Sequence, residues 1–118
     1  MTIEDIQKIC KKFPQVTEDI KWENHLCFCV GGKIFIITSP DSTPVSASFK
    51  VGDEEFAELS EKEGCMPAPY LARYKWIYTD SINRFTKKEW EVYLRQAYDL
   101  VAAKLPSKTK KQLGLKAV

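Results

Sequence analysis

The sequence predicts a single α+β domain in which an antiparallel sheet of about five strands packs with N-terminal, middle and long C-terminal helices. The chain has 118 residues, 44% hydrophobic and 29% charged, as expected of one globular domain. Two capping boxes mark helix starts, and a glycine pair separates two short apolar runs. The expected domain covers residues 1–106, and residues 107–118 form either a basic tail or a short helix.

The first helix is predicted over residues 3–12. Thr2 and Asp5 match a capping box, and apolar residues then recur at helical spacing. Pro14 ends this helix because proline cannot donate the next backbone hydrogen bond. The following residues, 16–22, are predicted to form a strand.

A β-hairpin is predicted over residues 25–38. Gly31 and Gly32 separate its two apolar strands, and a two-residue connection of this kind is typical of a primed turn. Such a turn fixes the register. The expected pairs on one face are Val30 with Lys33, Phe28 with Phe35, and Leu26 with Ile37. Those on the other face are Cys29 with Ile34, Cys27 with Ile36, and His25 with Thr38.

The middle of the chain predicts a strand followed by an acidic helix. Apolar residues at alternate positions from Val45 to Val51 indicate a strand with one polar face. Asp53 is expected to cap the helix, whose Phe56 and Leu59 point inward, and Gly64 is expected to close it.

A proline-rich connection, residues 65–73, leads to a strand predicted over residues 74–79. In that strand Tyr74, Trp76 and Tyr78 would share one face. Thr86 and Glu89 then form a second capping box, with Phe85 positioned to staple onto Trp90. The helix that follows carries an apolar stripe as far as Pro106.

Charge and targeting features predict a cytoplasmic protein with a basic C-terminal half. No secretory signal or membrane-length apolar run is visible. The net charge is +2, but residues 1–64 carry −5 and residues 65–118 carry +7. The basic half indicates either an anionic partner or a solvated segment that helps solubility.

The sequence predicts no catalytic residue, cofactor or metal site. Nucleophilic catalysis needs a base beside the nucleophile, and the one histidine lies in the hairpin. His25, Cys27 and Cys29 share a strand face, but same-face neighbours stand about 7 Å apart, which disfavours a tetrahedral metal site. Together with Cys10 and Cys65, these cysteines are interpreted as reduced thiols.

Five segments of the chain resemble the MmcQ/YjbR family of small bacterial domains. They are Pro14–Asp19, Val30–Phe35, Ser48–Lys50, Pro69–Trp76 and Leu100–Pro106. The resemblance implies a CyaY-like α/β arrangement, similar to double-wing domains, and a function in DNA binding. Gln15 replaces a usual glycine, Lys21-Trp22 replaces a Pro-Phe pair, and Ala72 and Lys75 replace the Asn and His of an Asn-Lys-x-His-Trp signature.

The leading functional hypothesis is a nucleic-acid-binding domain. Basic side chains contact phosphates, whereas exposed aromatic rings stack on bases. The candidate residues are Lys50, Tyr70, Arg73, Lys75, Trp76, Lys104, Lys108, Lys110 and Lys111. Trp76 alternates with two tyrosines, so a core position is the competing interpretation.

The alternative function is a protein-interaction or adaptor domain. Its binding surface would be the apolar, cysteine-bearing face of the sheet or the loop from Pro67 to Arg73. An enzyme is the third and least favoured hypothesis.

Overall fold

A six-stranded antiparallel sheet forms one layer of the domain, and helices form the other. The computed structural model describes residues 1–115. The strands are β1 (Val16–Lys21), β2 (His25–Val30), β3 (Lys33–Ser39), β4 (Ser46–Lys50), β5 (Cys65–Pro67) and β6 (Trp76–Thr79). The α-helices are α1 (Ile3–Lys11), α2 (Asp53–Leu59), α3 (Lys87–Ala103) and α4 (Ser107–Leu113). The predicted α+β class is confirmed, with one strand more than the five expected.

The strand order in the sheet is β1-β2-β3-β4-β6-β5. The additional strand is β5, which the sequence did not predict because Pro67 and Pro69 indicated a loop. Pro67 is tolerated because β5 lies at the edge of the described sheet and pairs there with β6.

The turn between β2 and β3 has the predicted geometry. Gly31 and Gly32 have φ angles of +59° and +79°, as a primed turn requires. Next to the turn, Val30 pairs with Lys33 and Cys29 with Ile34, as predicted. A Cβ atom at Gly31 would lie 2.7 Å from Leu105 Cδ1, so this glycine also allows the turn to pack beneath the end of α3.

Beyond these two pairs the predicted register is wrong, because a β-bulge shifts the pairing. Phe28 pairs with Ile36 and not with Phe35, and Leu26 pairs with Thr38 and not with Ile37. Strict alternation would have turned either Phe35 or Ile36 away from the core. With the bulge, both are fully buried. The next residue, Ile37, therefore lies on the opposite face of the sheet, where it pairs with Cys27.

Both predicted capping boxes are present, at Thr2–Asp5 and Thr86–Glu89. The predicted staple is also present, since the ring centroids of Phe85 and Trp90 lie 5.1 Å apart. The Trp90 indole nitrogen donates a hydrogen bond to the Ile82 carbonyl oxygen at 2.8 Å. These contacts fix the start of α3 against the segment that precedes it.

Helix α2 differs from its prediction at both ends. Gly52 is the N-cap and Asp53 is already the first helical residue. The helix ends at Leu59, with Ser60 as its C-cap, so Gly64 does not close it. Gly64 instead has a φ of +81° just before β5.

The predicted strand over residues 74–79 begins two residues late. Tyr74 ends a turn of 3-10 helix (Ala72–Tyr74), and Lys75 has a left-handed φ of +62°. Because the left-handed backbone at Lys75 interrupts the extended strand, Tyr74 does not share the strand face of Trp76 and Tyr78. Trp76 is 8% exposed, which agrees better with the core interpretation than with an open surface.

One face of the sheet is buried under the helices. α1, α2 and α3 contribute to a single cluster with the sheet. Its members include Ile6, Leu59, Trp90, Leu94, Phe28, Phe49 and Ile77. Residues 107–113 form a helix and not a tail, and residues 116–118 lie outside the described residues. Across the described part of the chain, no helix has the length and apolar character needed to cross a bilayer.

Candidate nucleic-acid interface

A cleft of about 300 Å³ opens where the sheet meets the C-terminal end of α3. It is lined by three lysines, two aromatic residues and three aliphatic residues. These are Lys33, Lys50, Lys104, Tyr74, Trp76, Ile34, Leu100 and Val101. We call this site the lysine cleft. It combines positive charge with apolar surface in one place.

Strand pairing and one long helix bring these side chains together from separate parts of the chain. Lys50, the last residue of β4, lies opposite Trp76, the first residue of β6. Lys33 is the first residue of β3, which pairs with β4. Helix α3 packs on β3 and β4, and Lys104 is its C-cap. The end of the helix therefore meets the ends of these strands.

Lys50 is the half-buried cation of the lysine cleft. Its ammonium group donates a hydrogen bond to the carbonyl oxygen of Tyr74. The pKa of Lys50 is lowered, first by burial and then by the positive charge of Lys104. Asp53 opposes this shift and Lys75 adds to it. Burial is the larger cause of the shift, and the repulsion from Lys104 adds to it.

The lysines of the cleft have no carboxylate partner within residues 1–115. The ion pairs found there join Lys21 to Asp19, Arg84 to Asp80, and Arg95 to Asp99. All three pairs involve other basic residues. Lys33, Lys50 and Lys104 therefore keep charge that an anionic ligand can neutralise.

Two further basic candidates pack on aromatic rings beside the cleft. The Arg73 guanidinium lies 4.7 Å from the Tyr74 ring centroid and donates a hydrogen bond of 2.6 Å to the Tyr74 hydroxyl. The Lys75 ammonium lies 4.9 Å from the centroid of Phe56 in α2. Tyr74 is half exposed, so its ring is accessible at the cleft.

Lys110 does not belong to the candidate surface. Its side chain is buried, and its ammonium donates a hydrogen bond of 2.8 Å to the Ala103 carbonyl oxygen. Ala103 is the last residue of α3, where unpaired carbonyl groups carry partial negative charge. Lys110 thus stabilises the helix end next to Lys104.

The remaining candidates do not line the cleft. Tyr70 is fully exposed in the loop before the 3-10 turn, with a φ of +66°. Lys108 and Lys111 are exposed on α4. That helix lies near the β2–β3 turn, because Thr109 is within 3.3 Å of a Cβ atom placed at Gly31. The structure therefore brings Lys50, Trp76 and Lys104 together, with Arg73 and Lys75 beside them.

Sequence reasoning missed Lys33 and Tyr74 as members of the site. Lys33 had been assigned only to the hairpin, and Tyr74 only to a strand face. The signal for Tyr74 was its place between Arg73 and Lys75, two residues that were already candidates. For Lys33 no local signal exists, since its place in the site depends on how α3 packs on the sheet.

The face of the sheet opposite the helices carries Cys27 and Cys29 of β2. One row across it, defined by strand pairing, consists of Cys27, Ile37, Ser48, Tyr78 and Met66. Burial raises the pKa of Cys27 to about 11, so this thiol is protonated at neutral pH. Among the side chains of residues 1–115, no group of three or more His, Cys, Asp or Glu is arranged to hold a metal ion.

Comparison with known structures supports the fold. A Deinococcus radiodurans protein with a DUF419 domain aligns with a TM-score of 0.85 and 24% identity, covering 99% of this chain and 91% of that one. A Pseudomonas syringae protein aligns with a TM-score of 0.63 and 18% identity, covering 83% and 96% of the two chains. No curated protein shows significant sequence similarity.

The family assignment comes from the sequence itself. The family model described as YjbR matches residues 11–100. The matched range begins at the end of α1 and extends into α3, so it includes the whole sheet and all but two of the residues that line the lysine cleft, Val101 and Lys104. The chain therefore belongs to the YjbR family.

Proposed function

We propose that this YjbR-family domain binds nucleic acid through the lysine cleft, in the cytoplasm and with no catalytic step. The observation that carries the proposal is the convergence of Lys33, Lys50 and Lys104, none of which has a carboxylate partner in the described residues. Phosphate groups are the anions that such a cluster attracts, and their density on nucleic acid favours several simultaneous contacts.

The direct experiment is a titration of labelled duplex DNA at several salt concentrations. With about four phosphate contacts, log K should fall against log salt with a slope of about −3.6. Replacing Lys33, Lys50 and Lys104 together with glutamine should reduce the slope by about 2.7, because each lysine accounts for about 0.9.

A matched control removes the same charge elsewhere. Lys11, Lys12 and Lys88 are exposed and do not line the cleft. Their triple glutamine variant should keep most of the slope. Equal losses in the two triple variants would reject the lysine cleft as the site, and binding that is absent or independent of salt in the native protein would reject the proposal itself.

A second candidate function is protein recognition by the open sheet face or the loop from Pro67 to Arg73. It is favoured by exposed apolar side chains, because Met66 is 48% exposed and Tyr70 is 100% exposed. A partner that is retained on the immobilised native chain after nuclease treatment, and lost with Met66→Glu or Tyr70→Glu, would support this function. Retention on both variants would argue against it.

A further inference from the structure

We infer that the lysine cleft takes one unstacked nucleobase together with its phosphate, so that the chain prefers single-stranded nucleic acid to duplex. This inference rests on the proposed function and names its substrate class. It comes from the composition of the cleft wall, in which five of the eight lining residues are aromatic or aliphatic. A surface that contacted only phosphates would need no such wall.

The two halves of a nucleotide match the two kinds of residue in the cleft. Tyr74, which is half exposed, provides most of the aromatic surface, because Trp76 is 8% exposed. Ile34, Leu100 and Val101 add aliphatic surface. Lys33, Lys50 and Lys104 provide the charge for the phosphate. At about 300 Å³, the cleft is at the small end of the range for small-molecule sites, a size suited to one base and not to a stack.

A duplex can satisfy only half of this arrangement. Its phosphates are accessible to the lysines, but its bases are stacked and paired, and extruding one costs a few kcal/mol. A single strand presents unstacked bases at little cost, and stacking on aromatic side chains tolerates any base sequence. The apolar part of the cleft should therefore contribute to affinity only with single strands.

Tyr74 is the residue through which this can be tested. It lines the cleft and is half exposed, so its substitution should leave the fold intact. Tyr74→Phe keeps the ring but loses the hydroxyl that accepts a hydrogen bond from Arg73, whereas Tyr74→Leu loses the ring. Tyr70 provides the matched control, because it is fully exposed and does not line the cleft.

The experiment compares a single-stranded oligonucleotide, an abasic strand with the same number of phosphates, a duplex and a mononucleotide at one salt concentration. The single strand should bind native protein about 5- to 150-fold more tightly than the abasic strand. Tyr74→Leu should lose that advantage and should bind duplex unchanged, whereas Tyr74→Phe and Tyr70→Leu should keep it.

A spectroscopic readout reports on the cleft itself. In a Trp22→Phe background the exposed indole is removed, Trp90 stays fully buried, and Trp76 remains at the cleft. Binding of the single strand should quench tryptophan fluorescence, and binding of the abasic strand should not.

Three outcomes contradict the inference in distinguishable ways. Equal affinity for single strand, abasic strand and duplex would overturn it and leave the proposed function standing. A mononucleotide that binds as tightly as the oligonucleotide would make the cleft a site for free nucleotides and would overturn the assignment to single strands. Failure of every polymer to bind would overturn both the inference and the proposed function.

Discussion

Lys50 and Trp76 lie opposite each other across the β4–β6 ladder, and both line the same cleft. The register of two strands therefore places a basic and an aromatic side chain on the same face of the sheet. The pKa of Lys50 is lowered because burial reduces the hydration of its amine and because Lys104 repels its charge. An anion in the cleft would relieve that repulsion.

The lowered pKa of Lys50 predicts a pH-dependent contribution to stability. Between that pKa and the usual value of 10.5, the unfolded chain binds a proton on Lys50 that the folded chain lacks. The free energy of unfolding should therefore rise with pH in this interval, relative to a Lys50→Met variant that cannot titrate. At pH values below this interval Lys50 is charged in both states, and the cost of burying that charge lowers the free energy of unfolding by its full amount. Urea unfolding of both proteins at stepwise alkaline pH measures the difference, and a difference that stays constant or falls contradicts the assignment.

Gln15 predicts a stabilising substitution. Its φ is +60°, a left-handed conformation that costs a side-chain-bearing residue about 1 kcal/mol or more. Gln15→Gly removes this strain but increases the freedom of the unfolded chain, so we expect a net gain of about 0.5–1 kcal/mol in the free energy of unfolding. Lys12→Gly, at a φ of −75°, is the control and should not stabilise. Chemical denaturation of both variants tests this expectation.

The two glycines of the β2–β3 turn should differ in their tolerance of alanine. Both have positive φ, but a Cβ atom at Gly32 would meet no atom of residues 1–115 within 4 Å, whereas one at Gly31 lies 2.7 Å from buried Leu105. We expect Gly32→Ala to cost about 1 kcal/mol and Gly31→Ala about 2 kcal/mol or more. A Leu105→Val background should reduce the excess cost at Gly31 alone. Equal costs at the two positions would show that the contact with Leu105 is unimportant.

Lys110 should matter for stability and not for binding. Lys110→Met keeps the buried methylene chain but removes the ammonium that donates to the Ala103 carbonyl, so we expect a loss of about 1–2 kcal/mol. Lys111→Met, at the exposed neighbouring position, should change stability by less than about 0.5 kcal/mol. At low temperature, where both variants are folded, their affinities for nucleic acid should agree within about threefold. A selective loss of affinity in Lys110→Met would contradict this assignment.

Features set by neighbouring residues could be predicted from the sequence. The capping boxes at Thr2 and Thr86 and the turn at Gly31-Gly32 each depend on a few adjacent positions. The bulge at Phe35 could not be predicted in the same way, since it depends on whether the core has room for two consecutive large side chains. The prediction of the hairpin was therefore correct for the turn and wrong for the strand pairing farther from the turn.

For the same reason, only part of the candidate site could be predicted. Lys50, Trp76 and Lys104 were chosen for their chemistry, and strand pairing and helix packing then bring them together. Lys33 was missed because its proximity to α3 is a tertiary relationship. Lys110 was included because charge alone does not reveal that a carbonyl group at the end of α3 lies within reach of its ammonium.

The most direct test of the account is an NMR titration of isotopically labelled protein with a short single-stranded oligonucleotide at low salt. The account predicts that the largest amide shift changes fall at Lys33, Lys50, residues 74–76 and residues 100–104, and that they disappear in the triple glutamine variant at positions 33, 50 and 104. Changes concentrated on the row from Cys27 to Met66, or persisting unchanged in that variant, would contradict the claim that the lysine cleft is the binding site.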